Sequence, residues 1–192
     1  NGKPNPKEDF NAINSELILS DIATLEGLLN RITKSKLTDE EKLLLKDHTT
    51  KALDLLNTNK FLEKNDLEKV LENFPDIKLL TQKPMFVIAN INEDTTQEEI
   101  DAFKKLIPKN IELLQVNVKV ETDLNDLSVE DQKEFMNEFG IEESALSKII
   151  KTGYSLLDLK TFFTSGEKES RAWAAKKYFN AQECSGIIHT DI

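Results

Sequence analysis

The chain is poor in the residues that build covalent or metal-based scaffolds. It has one cysteine, Cys184, and two histidines, His48 and His189, in 192 residues. A single cysteine excludes an internal disulfide framework and any cysteine-based zinc cluster. His48 lies among hydrophilic neighbours with no second His or Cys at ligand spacing, so it reads as a surface histidine. No apolar run approaches the roughly 18 residues needed to span a bilayer, and Asn1 opens no secretory pattern. No membrane partner is expected, and a reducing cytoplasm is the simplest home. Also missing is any G-x-x-x-x-G-K-[ST], whose backbone nest and lysine would cradle a triphosphate, and any D-x-x-G loop.

What is present is ordinary for a soluble protein: 39% hydrophobic and 31% charged residues. The formal charge of −10 opposes wholesale binding to a phosphate backbone, and no sequence-specific DNA partner is expected. The charge is uneven. Met85 to Ser147 holds 15 acidic and 5 basic side chains, whereas Lys148 to Lys177 holds 7 basic and 3 acidic. The basic stretch fits either docking on RNA or a solvated face of mixed charge.

From about Asp9 to Ile32, apolar residues recur at three- and four-residue steps: Phe10, Ile13, Leu17, Ile18, Ile22, Leu25, Leu28, Leu29 and Ile32. That spacing predicts a long amphipathic helix. Thr38-Asp39-Glu40-Glu41 reads as a capping box for a second helix to about Leu56, apolar at Leu44, Leu45, Ala52, Leu55 and Leu56. Asn65 to Glu68 starts a short third helix that stops before Phe74-Pro75. Helix, short link, helix suggests an antiparallel arm with no catalytic signal of its own.

At Lys83-Pro84 the character changes. Met85 to Ala89 is a continuous apolar run, as in a strand buried on both faces. Thr96-Gln97-Glu98-Glu99 caps a helix to about Leu106, and the β-branched run Ile111 to Val120 reads as a second strand. Strand, helix, strand makes a βαβ unit with parallel strands. Helices follow from Ser128 and over Glu143 to Thr152. After Gly153 come short β-prone stretches separated by Ser165-Gly166 and Ser185-Gly186.

In a doubly wound sheet, ligands sit beyond the carboxyl ends of the strands, which here is Asn90-Ile91-Asn92-Glu93-Asp94. The same residues would also serve as a plain turn. The layout N-x-x-E stands where GTPases carry the guanine-reading N-K-x-D. Asn90 can bond a base edge and tie neighbouring loops together, while Ile91 offers an aliphatic body to a ring face. An aspartate in the last position accepts two N–H groups of guanine, and Glu93 is one methylene too long to keep that geometry. Adenine lacks the 2-amino donor, so the change points to ATP.

The stretch Lys83 to Asp94 closely resembles that of the YchF-type, Obg-like ATPases, which use ATP although they belong to a GTPase class. Asn14 to Ile22, Glu134-Phe135-Met136, Gly140 to Ser144, Tyr154 to Leu157, Thr161 to Trp173 and Gly186 to Asp191 extend the resemblance in order. It is weakest from Thr33 to Gln82. The resemblance implies an α/β fold: the C-terminal part of a Ras-like P-loop NTPase domain with an inserted antiparallel helical arm, then the start of a β-grasp TGS domain. Its expected bounds are a domain remnant at 1–20, the arm at 21–82, the C-terminal half of the nucleotide-binding domain at 83–153, and an incomplete TGS domain at 154–192.

The resemblance further implies ATP hydrolysis with magnesium and binding to the ribosome, with the large subunit as the expected contact. By position, Asn90, Ile91 and Glu93 would frame the adenine. Asn117, Val118 and Lys119 would form the second base-site loop, Asn117 standing where the family has a small residue. No residue of the chain matches a catalytic or magnesium-binding position. The family's water-positioning histidine falls upstream of the match to Asn1 through Pro6, and His189 is no substitute. Two readings stay open: part of an ATPase whose turnover needs the phosphate-binding segment, or a non-enzymatic ribosome or protein adaptor using the arm and residues 148–177.

Overall fold

The computed structural model describes residues 4–188, which form two compact units divided between Lys83 and Pro84. Residues 1–3 of the expected remnant, and the last part of the Gly186 to Asp191 match with His189, lie outside the described residues.

The first unit is helical. Helix α1 spans Pro6–Lys34, longer at both ends than its apolar pattern. Asn5 caps it by accepting from the Glu8 N–H, and Pro6 occupies the first turn, where its missing donor costs nothing. Glu8 and Asp9 at the start and Arg31 and Lys34 at the end complement the helix dipole. Its buried residues are Ile18, Asp21, Leu25, Leu28 and Ile32, a stripe of alternating three- and four-residue steps. Helix α2, Asp39–Asn57, starts at the expected Thr38–Glu41 capping box and buries Leu45, Thr49, Ala52 and Leu56. Leu44 faces solvent instead, 45% exposed. A 3-10 turn at Lys64–Leu67 leads into helix α3, Glu68–Asn73. Leu62, Leu67, Val70, Phe74 and Leu79 close the core. Each fully buried Leu or Ile contributes about 1.5–3 kcal/mol.

One buried residue breaks the apolar rule. The Asp21 carboxylate, 1% exposed, accepts from the backbone N–H groups of Leu80 and Thr81 at 2.8 Å and from the Thr81 hydroxyl at 2.7 Å. It thereby pins the end of the unit onto α1, with its charge fully hydrogen-bonded.

The second unit opens with strand β1, Phe86–Asn90, paired in parallel with β2, Glu112–Val116, in the register Phe86↔Glu112 to Asn90↔Val116. Helix α4, Gln97–Lys104, makes the crossover, starting at a Thr96–Glu99 capping box. The expected second strand therefore stops four residues early. Asn117 caps helix α5, Val118–Asn125, by accepting from the Val120 N–H, which turns two β-branched residues into a first helical turn. Nor is β1 buried on both faces: Ile88 is 45% exposed, because β1 and β2 form a sheet of only two strands among the described residues.

Helices α6, Val129–Glu138, and α7, Ala145–Leu156, follow, capped by Ser128 and Ser144. Gly140, at φ +64°, ends α6 in a Schellman turn, with the Ile141 N–H reaching the Met136 carbonyl at 2.8 Å. Strands β3, Leu159–Ser165, and β4, Ser170–Lys176, form an antiparallel hairpin. A helix, α8 at Ala181–Ile188, then stands where a β-prone stretch was expected around Ser185-Gly186. The Asn180 and Glu183 side chains each accept from the other's backbone N–H, a reciprocal cap that outweighs the local β preference.

Candidate functional site at the carboxyl ends of the parallel strands

The loops that leave β1 and β2 lie side by side because the two strands end in register, Asn90 opposite Val116. The Ile91 N–H continues the ladder to the Val116 carbonyl at 2.8 Å. Past that point the first loop is held by Asn92. Its Oδ1 accepts from the Thr95 hydroxyl at 2.8 Å and the Asp94 N–H at 3.2 Å, while its N–H donates to the Thr95 Oγ1 at 3.0 Å. The second loop is no more than Asn117 and the first turn of α5.

The six residues expected at the site come together. Asn90, Ile91 and Glu93 face Asn117, Val118 and Lys119 across an open cleft of about 290 Å³, which Asn92 and Asp94 also line. That volume sits at the low end for ligand pockets, enough for a ring system rather than a whole triphosphate. The Asn90 Oδ1 accepts from the Val118 N–H at 3.4 Å and so bridges the loops. Its NH2 remains as a donor to a ligand. At the mouth, the Lys119 ammonium lies 3.6 Å from the Glu93 carboxylate, both side chains largely exposed. Half-buried Ile91 and 52%-exposed Val118 supply apolar surface suited to a planar ring.

Asn92 and Asp94 lie in the expected loop but outside the base-reading motif; the Asn-x-x-Thr spacing of a side-chain-closed turn is the sequence signal for the structural role of Asn92. Asn117, out of pattern for a small-residue position, is a helix cap. Among the described residues, no group of three or more His, Cys, Asp or Glu is placed to hold a metal ion, and His48 is half-buried within α2. No described helix is long and apolar enough to cross a membrane.

The basic stretch 148–177 is largely committed to the chain itself. The Lys160 ammonium donates to the Phe179 carbonyl and Lys176 to that of Leu157. Lys151 pairs with Glu143 and Lys177 with Asp158, while the Arg171 guanidinium lies 4.2 Å from the Trp173 ring centroid. Hydrogen bonds from Lys151 and then from the Ser147 hydroxyl hold the Glu143 carboxyl below its ordinary range.

Comparison with known proteins bears on this geometry. Residues 159–192 match the family model YchF-GTPase_C, described as a protein of unknown function (DUF933). The ribosome-binding ATPase YchF of Bacillus subtilis is 35% identical over 198 residues, covering 99% of this chain and 54% of that protein. Its Escherichia coli O157:H7 counterpart is 36% identical over 197 residues with the same coverage. The structure of the Schizosaccharomyces pombe YchF GTPase superposes with a TM-score of 0.79 at 26% identity, over 99% of this chain and 54% of that one. The chain thus spans about half the length of the curated relatives it matches.

Proposed function

We propose, from the premise that this chain is related to the YchF-type proteins along 99% of its length, that it carries the base-reading side of an ATP site in a ribosome-associated ATPase. The observation that carries the reading is the Asn90–Val118 bridge, which sets an N-x-x-E loop and the start of α5 around one cleft. Asn90 donates to the adenine edge, Ile91 and Val118 pack on its faces, and Glu93 is paired with Lys119 rather than presented as a guanine acceptor. Residues 1–20 and 83–153 then belong to a Ras-like nucleotide-binding domain, 21–82 to an arm inserted in it, and 154–192 to a TGS domain. Magnesium and the phosphates would be held by groups outside these 192 residues, and the cytoplasmic large ribosomal subunit is the partner.

With no phosphate cradle in its sequence, the 192-residue chain binds ATP weakly, indifferently to magnesium, and does not turn it over. Amide NMR titration with ATP and GTP tests this. Adenine nucleotide should shift Ile91, Glu93, Val118 and Lys119 more than GTP does, with or without magnesium, and Asn90→Ala should abolish the response. Shifts confined to other residues would remove the site. Tight, magnesium-dependent binding by calorimetry would refute the division of labour.

A further inference from the structure

The nucleotide cleft depends on where α5 begins, and α5 is held by more than its own cap. Glu121, in its first turn, is half-buried and turned toward the next helix but one. Its Oε1 accepts from the Ala145 N–H at 2.6 Å and its Oε2 from the Leu146 N–H at 3.3 Å. Those are the first two donors of α7. The Ser144 hydroxyl takes the third, from Ser147, and the Ser144 carbonyl takes the fourth, from Lys148. The first four N–H groups of α7 itself are all bonded, two of them by a carboxylate carried on the helix that forms the cleft.

We propose that Glu121 is a positioning residue for base recognition: by clamping the first turn of α5 to the N-terminus of α7, it fixes the Val118 N–H and Lys119 relative to Asn90 and Glu93. The inference rests on the adenine-site reading above. Glu121 does not line the cleft, so its action passes through the backbone of α5. The Asn90–Val118 hydrogen bond is long, at 3.4 Å, and a small rotation of α5 would break it. Charge-assisted bonds to two backbone donors resist that rotation better than the Asn117 cap alone. The same clamp ties the cleft to α7, which runs directly into β3 through Leu157 and Asp158.

The test compares Glu121→Ala and Glu121→Gln in the chain as it stands, with Asn90→Ala as the control for the site. Without nucleotide, Glu121→Ala should shift the Val118 and Lys119 amides as well as Ala145 and Leu146. With ATP it should bind about fivefold more weakly while its GTP response stays unchanged. Glu121→Gln, which keeps an acceptor oxygen, should recover most of the loss. If only Ala145 and Leu146 shift, or ATP and GTP responses fall together with thermal stability, Glu121 is a helix cap and the proposal is overturned. If ATP does not perturb the wild-type cleft, or Asn90→Ala leaves its response intact, the site reading fails and this one with it.

Discussion

The two halves of the chain solve burial differently. The helical unit encloses one apolar cluster from Ile18 to Leu79, with Leu25, Leu28, Ile32, Ala52, Leu56 and Val70 wholly inside. Among the described residues its exposed large apolars are Ile13, Leu19, Leu43 and Leu44. Beyond residue 84 the buried positions are scattered, and neither α6 nor α7 has a buried residue. Val129, Phe139, Leu146, Ile150 and Phe163 are all more than half exposed. A helix pair can close its own core, because each helix needs only one covered stripe. A two-stranded parallel sheet cannot, because both its faces are apolar and neither strand covers the other. The unit with the candidate site is the less self-sufficient of the two.

Core truncation should expose this contrast most strongly. Leu28→Ala is expected to cost the helical unit about 2–5 kcal/mol, while Ile150→Ala should cost the second unit no more than about 0.5 kcal/mol. Urea unfolding followed by residue-resolved NMR separates the units, and equal losses would erase the distinction. Next comes Asp21→Ala, which strands two backbone donors in a nearly dry setting. A loss of about 2–3 kcal/mol, with faster hydrogen exchange at Leu80 and Thr81, is expected; an unchanged melting curve would mean water replaces the carboxylate.

Caps should behave alike in both units despite the unequal cores. Thr38→Ala and Thr96→Ala each remove a capping-box hydroxyl, and each should cost about 1 kcal/mol by thermal melting. A much larger loss at Thr96 would show that α4 has little else to hold it.

The smallest effect is acid sensitivity. The Arg31 hydrogen bond holds the Asp76 carboxyl below its usual range, and the Lys151 hydrogen bond, ahead of Ser147, does the same for Glu143. A native pKa below the unfolded one stabilises the fold above the unfolded value, and that contribution is lost as pH falls through the native value. Asp76 is exposed and Glu143 is half-buried at the surface beside an exposed Lys151, so solvent screens both pairs and the changes are small. Carboxyl NMR titrations should place each midpoint below the ordinary value for its residue type. Asp76→Asn should flatten the acid response of the helical unit alone; an unchanged response would assign it to other carboxyls.

The elements most legible in the sequence were those coded by local chemistry. The α1 stripe, the capping boxes at Thr38 and Thr96, and the parallel strand pair follow from spacing and hydrogen-bonding side chains. Local sequence is ambiguous where two signals compete. Val118 and Val120 favour a strand until Asn117 caps them into a helix, and Ser185-Gly186 resembles a turn until Asn180 and Glu183 cap α8. At the site, the motif Asn90 to Glu93 was visible as a pattern. The grouping of Asn117 to Lys119 opposite it followed from family resemblance, not from spacing.

The sequence by itself determined the buried stripe of α1, the helix starts at Thr38 and Thr96, the parallel strand pair, the change of character at Lys83-Pro84, and the N-x-x-E order of the first loop. These depend on neighbours a few residues apart. Only the tertiary structure decided that Asn90 reaches the Val118 N–H, that Glu93 lies beside Lys119, that Asp21 belongs inside, and that Glu121 closes the start of α7. Each joins groups some 24 to 60 residues apart, and no local preference encodes such a pairing until strand register and helix packing bring the partners within hydrogen-bond reach.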